Sequence, residues 1–331
     1  MKKAPEHIII SRTDGIGDVV LTLPLVGALK VLFPKVKISF LGRSYTKSII
    51  DACVHVDHFM DWDEIEKSNP SKAMEESGAD VIFHVFPRPE ILVAAKAAKI
   101  PFRIGTARRW TAVRTINKPL FYSRKNSDLH EAQLNLRMLE GLGIKRGYTL
   151  DGIAKMFGLR APRLADNYFR KIKGKRIVVL HPMSHGSALE WPLKKFSDLT
   201  ELLVKANYTV AITGTAKEGE SMRKELPWHL PGVLDFTGSL DLGQLLALLN
   251  KAVGIVAAST GPLHMAAAVG TPALGLYSPK RPIFPTRWAP IGRYTDFLEC
   301  EVHPTSGQLP FHAEEVFNRL EELLSEVGKK D

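Results

Sequence analysis

The sequence predicts an α/β protein made of two Rossmann-like domains, each built on a parallel β-sheet. Short apolar, β-rich runs alternate with longer amphipathic runs along the 331 residues, which is the pattern of βαβ units. A polar passage over residues 145–175, rich in glycine and lysine, interrupts this alternation before it resumes. We therefore expect an N-terminal domain over residues 1–160 and a C-terminal domain over 161–331. The two should face a central cleft, because ligands of open parallel sheets bind outside the carboxyl ends of the strands.

Each half of the chain has its own series of predicted elements. In the first half we expect strands near residues 7–11, 36–42, 79–85 and 102–105, and helices near 18–32, 44–52, 70–77, 89–98 and 128–142. In the second half we expect strands near 176–181, 208–213, 253–258 and 272–277, and helices near 193–206, 217–226, 241–251 and 262–268. An amphipathic helix over residues 312–327 closes the chain and is free to pack back on the first domain.

The charge of the chain indicates an anionic partner. The net charge is +10, which is typical of proteins that bind nucleic acid, phosphorylated substrates or anionic membrane surfaces. Ten basic residues fall within residues 88–125, where Glu90 is the only acidic residue. The aromatic residues of this stretch match no RNA-binding signature, so we expect no nucleic acid, and charge alone does not choose between a phosphorylated substrate and peripheral contact with an anionic membrane. A solvated basic face is the simpler alternative.

The apolar runs and the cysteines predict a cytoplasmic protein, and the net charge is compatible with association with the inner face of the plasma membrane. No apolar run reaches the roughly 18–20 residues that span a bilayer, and the run at residues 8–10 is too short for a signal-peptide core. Cys53 and Cys300 are the only cysteines, and neither has metal-ligand spacing. We therefore expect neither a disulfide nor a zinc site.

The most informative segment covers residues 257–278, which combine a strand end, a polar turn, a helix start and a second strand. A helix start presents unpaired N–H groups and a partial positive charge, and it therefore favours phosphate. Ser259 and Thr260 suit the capping position, Gly261 follows them, and His264 is placed one turn later to add a donor. A tightly packed turn with a satisfied histidine is the alternative.

The loop at residues 11–18 (SRTDGIGD) carries two carboxylates between a strand and a helix. Its glycines allow close backbone approach, but the pattern is not the GxGxxG dinucleotide fingerprint, so a nicotinamide site is not expected. Asp18 stands at the helix start, where it can act either as a cap or as a general base toward a sugar hydroxyl. Asp14 is the second candidate.

Two loops in the second half are further candidates for binding a nucleoside diphosphate. The loop at residues 180–192 offers small hydrogen-bonding residues that can wrap a diphosphate. The loop at residues 213–220 follows a strand, where a ribose or base can be held. The candidates in these loops are Ser184, His185, Gly186, Ser187, Gly214 and Glu218.

Several catalytic patterns are missing from the chain. It contains no P-loop, no HExxH helix and no GxSxG elbow, so the sequence favours chemistry without a metal and without a cofactor.

Over nearly its full length the sequence resembles glycosyltransferase family 9, the lipopolysaccharide heptosyltransferases. The resemblance is carried by IIISRTDGIGDVVLTLPLVGALKVLFP near the N-terminus, RIGTARR at 103–109, HEAQLNLRMLEGLGI at 130–144, HPMSHGSALEWPLKKFSDL, and STGPLHMAAAVGTPALGLYSP. It implies a GT-B arrangement of two Rossmann-like domains and inverting, metal-independent transfer. It also implies a nucleotide-sugar donor on the C-terminal domain and a lipid acceptor on the N-terminal domain.

The resemblance also assigns residues. The aspartate of the GDV segment is the family's catalytic base, which is Asp18 here, and acceptor contacts are implied at Asp14, Arg103, Arg108, Arg109 and His130. Two positions depart from the family pattern. Leu189 stands where a phosphate-binding lysine is common, and Ser259 stands where an aspartate often contacts the donor sugar.

The expected function is therefore transfer of a sugar from a nucleoside-diphosphate sugar to a phosphorylated, lipid A-linked acceptor, with heptose as the first candidate sugar and ADP-heptose as the first candidate donor. Two alternatives stay open on the sequence. One is a non-catalytic glycan- or lipid-binding relative, and the other is a sugar-nucleotide epimerase or hydrolase on the same scaffold.

Overall fold

Two parallel six-stranded sheets form the framework of the protein. The computed structural model describes residues 3–107, 110–184, 186–301 and 304–330. The chain divides into two compact units, Met1–Arg160 and Ala161–Asp331. The two sheets confirm the predicted α/β class, and each unit is described in turn.

The sheet of the first unit has the strand order β3-β2-β1-β4-β5-β6, and all of its pairs are parallel. In this order the direction of winding reverses between β1 and β4, which opens a crevice at their carboxyl ends. The strands are β1 (His7–Ser11), β2 (Lys37–Gly42), β3 (His58–Asp61), β4 (Val81–His84), β5 (Phe102–Thr106) and β6 (Lys118–Leu120). The helices are α1 (Ile16–Val20), α2 (Leu23–Leu32), α3 (Lys47–Asp51), α4 (Trp62–Ile65), α5 (Pro70–Glu76), α6 (Pro89–Ala97), α7 (Trp110–Thr115), α8 (Glu131–Leu136) and α9 (Leu150–Ala154), with 3-10 turns at Ser44–Thr46 and Arg137–Leu142.

The sheet of the second unit repeats this order as β12-β11-β10-β7-β8-β9, so its crevice lies between β7 and β10. The strands are β7 (Ile177–His181), β8 (Thr209–Ile212), β9 (Val233–Asp235), β10 (Gly254–Ala258), β11 (Ala273–Tyr277) and β12 (Thr295–Glu299). The helices are α10 (Asp166–Ile172), α11 (Leu193–Lys205), α12 (Ala216–Met222), α13 (Leu242–Leu249), α14 (Gly261–Ala268), α15 (Pro285–Trp288) and α16 (Ala313–Lys330).

The central strands are buried on both faces because helices cover both sides of each sheet. All five residues of β1 and of β10 are buried, as a parallel sheet requires. The final helix α16 packs on α11 and on strands β10–β12, and its Val316 and Leu320 belong to the core of the second unit. The sequence analysis allowed α16 to pack on the first domain, but the apolar stripe of α16 packs into the core of the second unit.

Two predicted helices are divided in the structure. The helix expected over residues 18–32 breaks between α1 and α2, where the Thr22 hydroxyl donates to the Asp18 carbonyl over 2.8 Å and Pro24 enters the first turn of α2. The helix expected over 128–142 becomes α8 and a 3-10 turn that ends at Gly143, whose φ is 81°. None of the helices in the described parts of the chain combines the length and apolar composition that crossing a membrane requires.

Gly27, inside α2, offers a direct test of how tightly the first unit is packed. A Cβ at this position would lie 2.2 Å from the Met156 carbonyl oxygen, which is backbone and cannot swing away. In an open helix Gly→Ala stabilises by about 1 kcal/mol. Here we expect Gly27→Ala to lower the free energy of unfolding by about 1–3 kcal/mol, as measured by urea denaturation.

Gly147→Ala is the matched control, because a Cβ at that position meets nothing within 4 Å. An unchanged or raised stability of Gly27→Ala would contradict the close approach of α2 to the segment after α9.

Candidate active site

A buried arginine holds three carboxylates at the carboxyl end of β1. The Arg12 side chain is 4% exposed, and its Nε lies 2.9 Å from Asp14 Oδ2. Its Nη2 donates to Asp18 Oδ1, and its Nη1 lies 3.4 Å from Glu131 Oε1. Because Glu131 begins α8, this single guanidinium joins the end of β1, the start of α1 and the start of α8.

Two more arginines complete the network. Arg88, just after β4, donates to Asp14 over 2.5 Å, and Arg124 pairs with Glu131. Arg124 also donates to the carbonyl oxygen of Val85 over 2.9 Å. Three guanidinium groups therefore meet three carboxylates, so the fully ionised cluster is neutral, as buried charges require.

Asp18 combines a held oxygen with an accessible one. Its side chain is 26% exposed, and Oδ1 is the oxygen that Arg12 binds. Within the described parts of the chain, no group donates a hydrogen bond to Oδ2. Burial raises the pKa of the Asp18 carboxyl above its ordinary value of 3.8, although the Arg12 guanidinium opposes the rise. Gly15, not Asp18, is the capping residue of α1, and Asp18 lies in the first turn of that helix.

A cavity of about 320 Å³ lies at the carboxyl ends of β4, β5 and β6, and we call it the first cavity. The ring of Phe86 lies in its wall and also faces the arginines, with Arg12 Cζ 5.7 Å and Arg88 Cζ 5.1 Å from the ring centroid. The first cavity therefore adjoins the carboxylate network. Its lining is mainly apolar with two cations and comprises Phe86, Pro87, Leu92, Thr106, Thr111, Ala112, Tyr122, Arg124 and Lys125.

Two of the predicted acceptor residues have structural roles instead. His130 is 2% exposed and is the cap of α8, where its Nδ1 accepts a hydrogen bond from the Ala132 N–H. Arg103 lies near the amino end of β5, away from the carboxyl edge, and its Nε donates to the Thr115 carbonyl over 2.7 Å. Both side chains therefore have structural partners, and their contact with an acceptor stays a prediction. Arg108 and Arg109 lie outside the described residues.

The second unit places small polar residues at its own crevice, between β7 and β10. Thr260 is the capping residue of α14, but its hydroxyl makes no capping bond, and its Oγ1 is buried without a partner. This differs from the predicted capping role. His264 is 2% exposed, and its ring centroid lies 6.5 Å from that of Trp288. The start of α14 therefore holds a buried hydroxyl aimed at no group of the described chain.

The loop after β7 is shaped by a residue that the sequence analysis missed. Glu190 Oε1 accepts from the Ser184 N–H over 2.7 Å and from the Ser184 hydroxyl over 2.9 Å. The Ser187 hydroxyl donates to the Ser259 carbonyl over 3.4 Å, which ties the loop weakly to the turn after β10. A glutamate six residues after a serine carries no pattern that could have shown this. His185 lies outside the described residues.

A second cavity of about 400 Å³ lies beside this turn. Ser259 is in its wall together with Leu189, and two cations, Lys280 and Arg281, follow β11 on its other side. No carboxylate is found among its described lining residues. These are Gly186, Ala188, Leu189, Ser259, Leu276, Tyr277, Ser278, Lys280, Arg281, Pro282, Ile283 and Gly307.

Gly214 and Glu218 do not line this cavity. Glu218 is 5% exposed and forms a capping box with Thr215, whose N–H it accepts over 2.6 Å. Gly214 accepts from the Gly238 N–H over 2.9 Å. The Glu218 carboxylate is used to start α12, and its contact with a ribose stays a prediction. In the described chain, no group of three or more His, Cys, Asp or Glu side chains is placed to hold a metal ion.

Two sheets of Rossmann order, with a partly buried carboxylate after β1 and a helix start after β10, form a framework that many enzyme classes share, and the family comparison identifies this chain as a glycosyltransferase. Residues 91–302 match the family model of glycosyltransferase family 9 (heptosyltransferase), and the chain belongs to this family.

Relatives and solved structures agree over most of the chain. A putative glycosyltransferase of Haemophilus influenzae is 26% identical over 308 residues, covering 86% of each chain. A family 9 glycosyltransferase from Veillonella parvula superposes with a TM-score of 0.80 at 17% identity, covering 97% of each chain. The E. coli ADP-heptose LPS heptosyltransferase II superposes with a TM-score of 0.77 at 18% identity, covering 98% of this chain and 99% of that one.

Arg12 is the residue on which we expect the stability of this site to depend. Arg12→Gln leaves Asp14, Asp18 and Glu131 without their shared cation, so it should lower the free energy of unfolding by about 3–5 kcal/mol at neutral pH. The loss should shrink as the pH falls, because protonated carboxyls need no counter-charge. Urea unfolding at neutral and mildly acidic pH measures both effects.

Arg43→Gln is the control, because Arg43 also pairs with two acidic residues, Asp63 and Glu66, but is 33% exposed. It should cost about 1 kcal/mol or less. Equal losses for the two variants would mean that the Arg12 network is no more buried than an ordinary surface pair.

Proposed function

We propose that this glycosyltransferase moves a sugar, heptose in the first instance, from a nucleoside-diphosphate sugar to a phosphorylated acceptor of the lipopolysaccharide core. The observation that carries the proposal is Asp18, a carboxylate held by Arg12 through one oxygen and open through the other. The name of the E. coli relative supplies ADP-heptose as the first donor to test.

The proposed reaction is a single displacement that needs no metal. Asp18 Oδ2 takes the proton of an acceptor hydroxyl, and the hydroxyl oxygen then attacks the anomeric carbon of the donor sugar. The bond from that carbon to the diphosphate breaks on the opposite face, so the configuration is inverted and the nucleoside diphosphate leaves. Arg12 keeps the Asp18 carboxylate oriented. Burial raises the pKa of Asp18, which makes the ionised carboxylate a stronger base.

The donor would bind in the second unit, at the start of α14 and in the second cavity. The N–H groups of a helix start and the buried Thr260 hydroxyl are suited to a diphosphate. Leu189 lines the cavity where the family pattern has a lysine, so the positive charge has to come from elsewhere. Lys280 and Arg281 are the cations of that wall, and they are suited to neutralise the diphosphate as it leaves.

The acceptor would bind in the first unit, against the first cavity. Phe86 links its wall to the carboxylate network, and Arg124 and Lys125 provide charge for a phosphorylated saccharide. A lipid-linked acceptor also requires peripheral contact with an anionic membrane, for which the basic stretch of residues 88–125 is suited.

Asp18→Asn tests the proposed base. An amide cannot accept the proton, so we expect kcat to fall by at least about 10²-fold while nucleotide affinity stays nearly unchanged. The measurement is steady-state transfer from ADP-heptose to a detergent-solubilised core acceptor, with nucleotide binding followed separately. Asp63→Asn is the matched control, because Asp63 also lies in the first turn of a short helix and pairs with Arg43.

The pH profile of the wild-type enzyme is a second readout of the same base. A general base must be ionised, so kcat/KM falls as the pH drops through its pKa. Because burial raises the pKa of Asp18 above 3.8, the acid limb should lie at a higher pH than that value. Turnover of Asp18→Asn near that of the wild type would remove Asp18 from the mechanism.

Lys280→Ala tests the proposed source of positive charge in the donor site. If Lys280 contacts the diphosphate, the variant should weaken ADP binding by about tenfold and adenosine binding hardly at all. Thermal unfolding with ADP, UDP, GDP or CDP reports both base selectivity and affinity, since a ligand at 100 times its Kd adds about 2.7 kcal/mol to the free energy of unfolding.

Lys217→Ala is the control, since Lys217 is an exposed lysine of the same unit that does not line the second cavity. An equal loss of ADP and adenosine binding in Lys280→Ala would mean that Lys280 shapes the pocket rather than neutralising phosphate.

A further inference from the structure

Three large apolar side chains stand exposed beside the first cavity. Trp110 is 68% exposed, Val113 is 56% exposed and Phe121 is 82% exposed. Trp110 and Val113 are three residues apart on α7, so they share one face of that helix. Phe121 directly follows β6, whose Leu120 carbonyl accepts from the Ala107 N–H ahead of α7 over 3.3 Å. We call these three residues the apolar tip.

The position of the apolar tip follows from the wall of the first cavity. Thr111 and Ala112 of α7 line that cavity, and so does Tyr122, the residue after Phe121. The inward neighbours of the apolar tip therefore face the acceptor side of the cavity, while the tip itself faces solvent. This places the exposed apolar surface at the rim of the site rather than at a remote point.

Cations accompany the apolar tip. Arg114 stacks on Trp110, with Cζ 4.2 Å from the ring centroid, and the Lys96 ammonium donates to the Arg114 carbonyl over 3.0 Å, which joins α6 to this surface. Lys118 precedes Phe121 in the sequence, Lys125 follows it, and both are exposed. Aromatic residues flanked by Lys and Arg are the composition of surfaces that insert at the headgroup level of a bilayer.

We propose that the apolar tip and its surrounding cations form a docking surface for an anionic phospholipid bilayer. The positive charge of the surface favours an anionic bilayer over a second copy of this chain. A second copy of the same surface would bring like charges together, whereas an anionic bilayer offers opposite charge to the cations and an apolar interior to Trp110 and Phe121. The proposal deepens the proposed function, since it would hold the first cavity at the membrane that carries a lipid-linked acceptor.

Sedimentation with vesicles tests the proposal without any transfer reaction. The full chain should bind vesicles rich in phosphatidylglycerol and bind pure phosphatidylcholine vesicles at least about tenfold less well, because each well-placed Lys or Arg contributes about fivefold near an anionic surface. The double variant Trp110→Ser/Phe121→Ser should lose at least about tenfold in binding to the anionic vesicles. Val31→Ser/Phe297→Ser, which removes exposed apolar side chains elsewhere, should bind like the wild type.

Tryptophan fluorescence assigns the inserted residue among the five tryptophans of the chain. Anionic vesicles should shift the emission to shorter wavelength, and Trp110→Phe should keep vesicle binding while losing most of that shift. A full shift in Trp110→Phe, wild-type binding by the double variant, or no binding by the wild type would each overturn the proposal. Vesicle binding that requires another protein in the sample would also overturn the proposal.

The nucleotide-induced thermal shift keeps this test separate from the proposed function. The double variant should respond to ADP as the wild type does and should transfer sugar normally to a detergent-solubilised acceptor, because its substitutions lie outside the donor cavity and the carboxylate network. Loss of vesicle binding with normal transfer supports the docking surface. Loss of the thermal shift in the double variant would mean that its substitutions damage the fold. In that case the variant Arg114→Glu/Lys118→Glu takes its place in the vesicle experiment, and we expect the same tenfold loss of binding.

Discussion

The first unit depends on the burial of one guanidinium. Arg12 leaves β1 at its carboxyl end and, at 4% side-chain exposure, could not remain charged there without acidic partners. Asp14, Asp18 and Glu131 supply them from the following loop, from α1 and from α8. The pairing therefore does two things at once, since it fixes how α1 and α8 approach the end of β1 and it presents one Asp18 oxygen outward.

Both units use the same topological feature with different chemistry. In each sheet the strand order reverses once, between β1 and β4 in the first and between β7 and β10 in the second, and polar residues follow these strands. The first unit fills its crevice with charged side chains that compensate one another, which suits proton transfer. The second leaves a helix start, a buried hydroxyl and two cations, which suits an anion that must enter and leave.

The sequence is informative where burial is complete and uninformative where a role depends on distant partners. The central strands β1, β4, β7 and β10 were predicted because they are mainly apolar, whereas β3, β6, β9 and β12 were missed. These are mostly short or half-exposed edge strands that resemble loops. Arg12 was overlooked because an arginine after a strand is usually exposed, and its partner Glu131 lies 119 residues away. Capping and ligand binding use the same residue types, so the capping roles of His130 and Glu218 could not be recognised before the hydrogen bonds were known.

The two departures from the family pattern in the second unit are consistent with each other electrostatically. Leu189 removes a positive charge and Ser259 removes a negative one, so the net charge of the wall they share is unchanged by the pair. A lysine lost alone would leave a diphosphate facing an aspartate, and an aspartate lost alone would leave an unpartnered cation beside an apolar surface. With both absent, the positive field of the cavity comes from Lys280 and Arg281 after β11 and from the start of α14. In the proposed donor site, the cations and the start of α14 are suited to an anion, while the carboxylate that the resemblance implies for the sugar hydroxyls is absent. We therefore expect the sugar, rather than the diphosphate, to be the part of the donor where this chain differs from its relatives.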